Sequence, residues 1–316
     1  MIEAVERFEC FGSTCAVRAI GAGRHGSAAQ ATATARRALE GWHDRCSRFL
    51  PGSELSRINR DSRAELPLSP IMALLARAVR TAGALSGGLV DGTLVQEIER
   101  AGYERDLGEP VPLAQALALA PARAPARPDP RARWRLLEVD LTSCLLRRPP
   151  GVGLDSGGLA KGLFADVLAA RLADCASFAI DCGGDLAIGG AQAIARPIEV
   201  QSPFDGRILH TFEAARTGVA TSGIARRSWI DDDGRPAHHL LDPASGRPAF
   251  TGIVQVTALA PSALQAEIRA KAAILAGPRA ARAWLPHGGV IVLDDGSHEV
   301  LEIPPTVLLS ELSAYA

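Results

Sequence analysis

Apolar residues recur along this chain with two periods, and each period predicts a different kind of element. Cys15, Val17 and Ala19 share one face of an alternating pattern, which predicts a strand pair from Phe8 to Ile20. From Leu159 to about Ala173 the apolar residues instead recur at helical spacing. The chain is therefore predicted to mix strands and helices.

The same criteria, with helix caps and turn residues, predict the other elements. Helices are expected at 28–42, 53–60, 70–84, 94–101 and 262–275, with one more before the final strands. Strands are expected within 134–147 and 176–188, and at 197–200, 209–213, 253–258, 289–293 and 299–303. Because these elements alternate without a regular strand–helix–strand rhythm, the predicted fold class is α+β.

Residues 151–166 open with glycines and an aspartate and continue into a predicted helix. Such glycines let backbone N–H groups approach a ligand, and a helix start carries unpaired amides and a positive dipole that suit a phosphate. Lys161 in the first turn adds a cation. The alternative is an ordinary turn that leads into an amphipathic helix.

Lysine usage makes the ligand interpretation more attractive. Of 34 basic residues only two are lysines, Lys161 and Lys271, and the rest are arginines. A lysine that persists against this bias is expected to do something that the planar arginine fork cannot do.

Composition limits the classes of protein that fit. With 316 residues, 47% hydrophobic content and a net charge of −1, the chain can form a large core and shows no excess charge for nucleic acid. No apolar run is long enough for a membrane helix, and an N-terminus with acidic residues is unlike a signal peptide. Six cysteines without metal-like spacing indicate reduced thiols, so a cytoplasmic protein is expected. We expect one domain over 1–316, with an irregular loop at the four prolines of 121–130.

Seven motifs occur in an order that resembles the FAD:protein FMN transferase (ApbE) family. They are Phe11-Gly-Ser13, Ser47-Arg-Phe with Ser53-Glu-Leu-Ser-Arg-Ile-Asn59, Gly88-Leu-Val-Asp-Gly-Thr93, Leu154-Asp-Ser-Gly-Gly-Leu-Ala-Lys-Gly162, Asp181-Cys-Gly-Gly-Asp185, Ala220-Thr-Ser-Gly223 and His239-Leu-Leu-Asp-Pro-Ala-Ser-Gly246. The match runs from about residue 8 to residue 295. The resemblance implies antiparallel sheets with packed helices, a T-fold-like architecture, and a cleft that binds FAD.

The resemblance also implies an activity. Family members split FAD at its pyrophosphate, pass FMN to a Ser or Thr hydroxyl of a target flavoprotein and release AMP, whereas some hydrolyse FAD. Mg²⁺ is held by the carbonyl of the Ala before the motif lysine and by an Asp and a Thr of a later helix. Neither the target protein nor the oligomeric state follows from the sequence.

Carried onto this sequence, the motifs imply three sets of site residues. The catalytic set is His239, Lys161, Lys271 and Asp242; the FAD-binding set is Gly12, Ser13, Asn59, Asp91, Thr93, Asp155, Gly157, Gly158, Asp181, Ser222 and Gly223; the metal set is Ala160 and Glu267.

Structural alternatives exist for several of these residues. Thr93 with Asp91 could cap the next helix, and Asn59 could end the preceding one. His239 could be structural rather than a base or phosphate ligand. Asp185 is interpreted as a turn residue.

The chain departs from the family where the metal helix should be. Glu267 replaces the family Asp, and Lys271 replaces the Thr. A protonated lysine cannot coordinate a cation, so one hypothesis is that Lys271, paired with Glu267, supplies the charge that a metal would bring. The alternative is a surface pair with i,i+4 spacing.

Two functions therefore follow from the sequence. The first is a cytoplasmic FMN transferase. The second is a flavin-binding carrier or regulator that hydrolyses FAD weakly or not at all, which the altered metal positions favour.

Overall fold

An eight-stranded antiparallel sheet forms the centre of the fold, in a computed structural model that describes residues 2–24, 26–105 and 108–303. Within these residues the strands are β1 (Glu3–Cys10), β2 (Ser13–Ile20), β3 (Glu65–Pro67), β4 (Glu138–Asp140), β5 (Leu145–Arg147), β6 (Ser177–Cys182), β7 (Asp185–Gly189), β8 (Arg196–Gln201), β9 (Ile208–Ala214), β10 (Thr217–Gly223), β11 (Ser228–Ile230), β12 (Pro236–His238), β13 (Leu241–Asp242), β14 (Arg247–Pro248), β15 (Ile253–Ala260), β16 (Gly289–Leu293) and β17 (His298–Leu301). The order in the central sheet is β1-β2-β6-β7-β10-β15-β16-β17, so the first and last strands of the described chain belong to one sheet.

Helices cover this sheet. They are α1 (Ala28–Cys46), α2 (Glu54–Arg60), α3 (Pro70–Leu85), α4 (Val95–Arg100), α5 (Leu113–Ala118), α6 (Ala160–Leu172), α7 (Ala263–Ala276) and α8 (Pro278–Ala281), with 3₁₀ turns at Arg133–Leu136 and Arg282–Trp284. Helix α1 packs on β1 and β2, α6 on β6 and β7, and α7 on β10 and β15. All but one residue of β15 is buried, as expected for a strand that is covered on both faces.

Helices α6 and α7 are held together by contacts that the site depends on. The Asp166 carboxylate accepts hydrogen bonds from the amides of Ala263 (2.8 Å) and Leu264 (3.0 Å), and so caps the first turn of α7. A Cβ atom at Gly162 would lie 2.8 Å from the carbonyl oxygen of Ala263. Only glycine allows this close approach of the two helices.

The predicted fold class is confirmed, and most predicted elements are present. The strand pair from Phe8 to Ile20 is a hairpin whose turn residues Phe11 and Gly12 have φ values of 58° and 62°, as its tight turn requires. Helix α1 extends four residues further than predicted, to Cys46. Helix α5 was missed.

The proline-rich segment is irregular, as predicted, but it is anchored rather than a free linker. The amides of Ala124, Ala126 and Arg127 donate to Phe250 O (3.0 Å), Leu275 O (2.8 Å) and Asp242 Oδ1 (2.7 Å). These bonds tie the segment to the residues just before β15, to the end of α7 and to the end of β13.

A group of charged side chains closes the end of this segment, and we call it the loop clamp: Glu97, Asp129, Arg131 and Arg133. Asp129 Oδ1 and Oδ2 lie 3.0 and 3.1 Å from Arg131 Nε, and Arg133 donates to Glu97 Oε1 at 2.7 Å. The clamp thus joins α4 to the residues that follow the prolines.

Candidate functional site

An open cleft of about 1290 Å³ lies beside the central sheet, where α6, α7 and several loops meet. Most of the residues predicted to form a site line it: Gly12, Ser13, Asp91, Asp155, Gly157, Gly158, Ala160, Lys161, Asp181, Ser222, Gly223, His239, Glu267 and Lys271. The residues predicted for the site that do not line it are Asn59, Thr93 and Asp242.

The glycine-rich turn before α6 is held by backbone and side-chain contacts. The amide of Asp155 donates to Gly92 O (2.8 Å), and the amide of Gly157 donates to Asp155 Oδ1 (3.2 Å). Arg48 Nε lies 3.5 Å from the same carboxylate oxygen. This turn therefore presents its glycines to the cleft on a fixed backbone.

Lys161 projects from the first turn of α6, as predicted. Its ammonium lies 2.8 Å from Asp185 Oδ2 and donates to Gly183 O at 3.3 Å. Burial alone would lower the pKa of Lys161, but the carboxylates of Asp185 and Glu267 raise it above its ordinary value. Lys161 therefore stays positively charged in the cleft.

Lys271 and Glu267 form a buried pair rather than a surface pair. Lys271 Nζ lies 2.9 Å from Glu267 Oε1, and their side chains are 9% and 1% exposed. The other carboxylate oxygen, Glu267 Oε2, accepts from the amide of Gly162 at 3.1 Å. The Gly162 amide is one of the helix-start amides that were predicted to bind a phosphate. It instead donates to the Glu267 carboxylate of α7.

Asp185 completes this arrangement, and interpreting it as only a turn residue was incomplete. Its pKa is raised to about 6 by burial, against the lowering effect of Lys161, and Glu267 raises it further. We refer to Lys161, Asp185, Glu267 and Lys271 as the cleft cluster. No sequence motif distinguishes Asp185 from a turn residue, because its partner lies on another element.

Asp91 faces the cleft with Thr93 behind it. Thr93 donates to Asp91 Oδ1 through both its amide (2.8 Å) and its hydroxyl (2.5 Å). Asp91 Oδ2 is buried and accepts no hydrogen bond from the described residues, and burial raises the pKa of this carboxyl. Thr93 therefore orients Asp91 and does not cap α4. The N-cap position of that helix is held by Leu94.

Asn59 and Asp242 support the walls of the site from outside the cleft. The Asn59 side chain exchanges two 2.8 Å hydrogen bonds with the backbone of Leu154, which fixes the segment that leads into the glycine-rich turn. Asp242 accepts from the Arg127 amide and from Ser245 Oγ (2.7 Å each). Asp242 thus anchors the proline-rich segment, and the structure does not bring it to the cleft.

Asp181 lies in β6, one residue before that strand ends at the turn to β7. This carboxylate lines the cleft, accepts from the Gly184 amide at 2.8 Å, and has a pKa raised by burial. Gly183 and Gly184 both have positive φ values, which explains the two consecutive glycines.

The side chains of the neighbouring residues His238 and His239 point in opposite directions. His239 lines the cleft, and its Nδ1 has no hydrogen-bond partner among the described residues. Burial, followed by the charge of Arg227, lowers the pKa of His239 well below its ordinary value, so the ring is neutral. His238 points away from the cleft, where it is buried against Phe250 at a centroid distance of 4.7 Å.

Comparison with known proteins assigns the chain to a family. The ApbE family model matches residues 11–293, which is most of the chain. The chain belongs to the ApbE family. The resemblance drawn from the sequence motifs is therefore confirmed.

Named relatives and solved ApbE structures agree with this assignment. The chain is 28% identical to the FAD:protein FMN transferase of Salmonella typhimurium over 70% of its own length and 64% of that protein, so the match spans a little under two thirds of that relative. It is 26% identical to the enzyme of the same name from Vibrio cholerae over 83% of this chain and 80% of that protein. The ApbE protein of Thermotoga maritima has the same fold, with a TM-score of 0.75, 20% identity and coverage of 98% of this chain and 99% of that one.

Part of the ApbE cleft was not predicted from the sequence. The guanidinium of Arg48 lies over the rings of Phe49 (4.4 Å) and Tyr103 (4.6 Å), and Tyr103 stacks on Trp229 with ring centroids 5.3 Å apart. Arg227 lines the same cleft and donates to Phe11 O at 3.3 Å. Arg48 and Phe49 are adjacent and belong to one of the sequence motifs. Their partners come from distant parts of the chain, so no local spacing shows that these side chains meet.

The metal ligands expected from the ApbE resemblance can be tested against the donor set. Both oxygens of Glu267 accept hydrogen bonds, from the Gly162 amide and the Lys271 ammonium. Lys271 stands where the resemblance implies a Thr ligand, and a protonated ammonium cannot coordinate a cation. The residues at this position therefore do not fit Mg²⁺.

One further property concerns membranes. Within the described residues, no helix is both long enough and apolar enough to cross a bilayer.

Proposed function

We propose that this chain is an FAD:protein FMN transferase that acts on a Ser or Thr hydroxyl of a target flavoprotein. The observation that carries the proposal is the convergence of both lysines of the chain, the glycine-rich turn and a neutral histidine on one cleft of an ApbE protein. The names of the relatives support the choice of FAD as the substrate.

The proposed reaction is a phosphoryl transfer. The acceptor hydroxyl oxygen attacks the phosphorus on the FMN side of the pyrophosphate, and a new P–O bond forms. The bond from that phosphorus to the bridging oxygen breaks, and its electron pair leaves with AMP. Most of the catalysis in such a reaction comes from positioning and from neutralising charge on the phosphate oxygens.

Each part of the cleft has a role in this proposal. Lys161 neutralises the pyrophosphate oxygens, and the turn at Gly157 and Gly158 allows the phosphates to approach the backbone. His239 is neutral and has a free ring nitrogen, so it can accept the proton of the acceptor hydroxyl. The ring of Phe49, which is 38% exposed and lines the cleft, offers an apolar surface for a planar group.

Magnesium has no step in this proposal, because the residues at the expected metal position do not fit it. We place the reaction in the cytoplasm, and the six cysteines, all free thiols, support that compartment.

The experiment is incubation of the purified protein with FAD and a peptide that carries the flavinylation motif of an established acceptor. We expect AMP in the supernatant and a peptide mass increased by FMN. A Ser/Thr-to-Ala version of the peptide is the matched control. FAD that stays bound without AMP release would refute the transferase and support a flavin carrier, and AMP with free FMN would indicate hydrolysis.

A further inference from the structure

The second lysine of the chain occupies an unusual place in the cleft. Lys271 lies on α7, two turns into the helix, yet it is 7% exposed and lines the cleft. Its neighbour across the cleft wall is Gly158, where an added Cβ would lie 3.3 Å from Lys271 Cε. The end of the lysine side chain therefore lies directly against the glycine-rich turn.

Glu267 fixes the position of this ammonium. It lies one helical turn before Lys271 and contacts Nζ at 2.9 Å through Oε1. Its second oxygen is held by the Gly162 amide, at the start of α6. Glu267 thus ties the Lys271 charge to the same helix start that carries Lys161.

The charges of the cluster interact with one another. Asp185 interacts with both lysines as well as with Glu267. Lys271 also acts on His239, whose pKa its charge helps to lower. The charge of Lys271 therefore acts both on the anion-binding side of the cleft and on His239, the proposed base. A bound metal cation would act on the same two groups.

We propose that the Lys271 ammonium, held by Glu267, supplies the cation of this cleft, so that FAD is bound and cleaved without a divalent metal. The part of this inference that concerns FAD cleavage rests on the proposed function. The part that concerns FAD binding requires only that the cleft binds FAD. The ammonium is a cation of fixed position that needs no recruitment from solution. It contacts the pyrophosphate oxygens and neutralises the charge that passes to AMP as the bridging bond breaks.

The first test uses the wild-type protein. It is dialysed against EDTA, its metal content is checked by mass spectrometry, and AMP release and FAD affinity are measured in EDTA and in Mg²⁺. We expect both quantities to agree within about twofold between the two conditions, because the charge is already present. Activity or binding that EDTA abolishes and Mg²⁺ restores would overturn the inference and leave the proposed function standing.

The second test changes Lys271 in two ways. Lys271→Met removes the charge, and we expect AMP release to fall about 100-fold, as for the loss of one stabilising group, with no recovery in Mg²⁺. Lys271→Thr places a hydroxyl beside the Glu267 carboxylate, which then has the oxygen ligands that Mg²⁺ prefers. We expect this variant to be weak in EDTA and at least tenfold more active in Mg²⁺ than Lys271→Met, a gain of about 1.4 kcal/mol.

A matched control removes another pair with the same spacing. Arg36 on α1 pairs with Glu40 at 2.9 Å, is 42% exposed, and lies outside the cleft. Arg36→Met should leave both AMP release and FAD affinity unchanged. Circular dichroism confirms that each variant is folded before it is compared.

The outcomes separate the two proposals. If no condition yields AMP, the transferase proposal fails, and FAD affinity alone decides the role of Lys271. Binding that is insensitive to EDTA and weakened by Lys271→Met supports the inference. Binding that is unchanged in Lys271→Met refutes it.

Discussion

The cleft cluster and the loop clamp are both groups of charged side chains with buried carboxylates, but these carboxylates behave in opposite ways. The side chains of Asp185 in the cluster and Asp129 in the clamp are each 2% exposed. Nevertheless, the pKa of Asp185 is raised to about 6, whereas that of Asp129 is lowered. Both side chains are thus shielded from solvent, but Asp185 lies deeper in the protein than Asp129, so burial opposes its ionisation more strongly.

The difference lies in what surrounds each carboxylate. Burial opposes ionisation of Asp129, but the side chain and amide of Arg131 both donate to it, and Arg133 adds a second positive charge. Asp185 has a single ammonium at hydrogen-bonding distance and a second carboxylate, Glu267, nearby. A charge that is fully paired is typical of a structural role, and one that is left partly uncompensated is typical of a functional site.

The type of cation follows the same division. The clamp uses arginines, whose planar forks reach the carboxylates of both Glu97 and Asp129, and the cleft cluster uses both lysines of the chain. A compact ammonium can transfer its contact from a carboxylate to a ligand more easily than a forked guanidinium can. The comparison therefore assigns binding to the cluster and stability to the clamp, and four predictions test that assignment.

The largest effect is expected from Lys161→Met. It removes the cation closest to Asp185, and AMP release from FAD should fall by about 100- to 1000-fold, as for loss of a group that stabilises the transition state. The measurement is AMP by liquid chromatography at saturating FAD.

Adding Asp185→Asn to this variant provides the control for misfolding. The double variant carries no unpaired buried carboxylate at this position, so it should recover stability but not activity. A Lys161→Met protein that keeps more than a tenth of the wild-type rate would contradict the assignment of this lysine.

Changing Arg133 in the clamp should lower the stability of the protein and leave its activity unchanged. Arg133 is 14% exposed and holds Glu97 at 2.7 Å, so Arg133→Met should lower the free energy of unfolding by about 3 kcal/mol, typical of breaking a buried pair. Urea denaturation measures the loss, and AMP release per folded molecule should stay the same.

The second arginine of the clamp is the matched control for Arg133. Arg131 is 61% exposed, and Arg131→Met should cost less than about 1 kcal/mol. Equal losses from the two variants would show that exposure does not govern the strength of the clamp.

Much of this division could not be predicted from the sequence. Periodicity and caps predicted most of the central sheet and its helices, because Ser53, Ser69-Pro70 and Ser262 mark local boundaries. The clamp was missed because the pairs that tie it to α4 join residues more than thirty positions apart, namely Arg131 and Arg133 to Glu97. Such pairs leave no periodic pattern.

The site shows the same limit. Motif residues such as Lys161, Gly158 and His239 do line the cleft. Asp185 was assigned to a turn, and Arg48 was given no role although it lies within a motif, because the contacts of Asp185 with Lys161 and of Arg48 with Tyr103 are set by the packing of distant elements. Asn59 and Asp242 have roles in supporting the backbone that their residue types alone do not reveal.

A smaller effect is expected from Gly162→Ala, which tests how α6 meets α7 in the cluster. The new Cβ would lie 2.8 Å from Ala263 O and 2.9 Å from Glu267 Oε2, so the helices must separate. We expect a loss of about 2 kcal/mol in the free energy of unfolding, typical of overpacking, and weaker FAD binding because Glu267 shifts.

Gly41 provides the matched comparison for this prediction. It lies inside α1, and nothing is within 4 Å of an added Cβ. Gly41→Ala should stabilise the protein by about 0.5–1 kcal/mol, since alanine loses less entropy in a helix. If both substitutions stabilise, the contact at Gly162 is not tight.

The smallest effect concerns pH and distinguishes the two carboxylates directly. The pKa of Asp185 is raised from 3.8 to about 6, with Lys161, Glu267 and Lys271 around it, and the nearby His239 stays neutral because its pKa is lowered. A bound pyrophosphate adds negative charge and raises the pKa of Asp185 further, so binding takes up a proton. FAD affinity should therefore rise as pH falls from about 7.5 to 6, by at most about tenfold per pH unit for one proton.

Titration calorimetry in two buffers of different ionisation enthalpy measures the proton uptake, which Asp185→Asn should abolish. Asp129→Asn should leave it unchanged, because the lowered pKa of Asp129 keeps that carboxylate ionised throughout this range. A proton uptake that persists in Asp185→Asn would mean that another group in the cleft carries the titration, and the contrast between cluster and clamp would then not rest on Asp185.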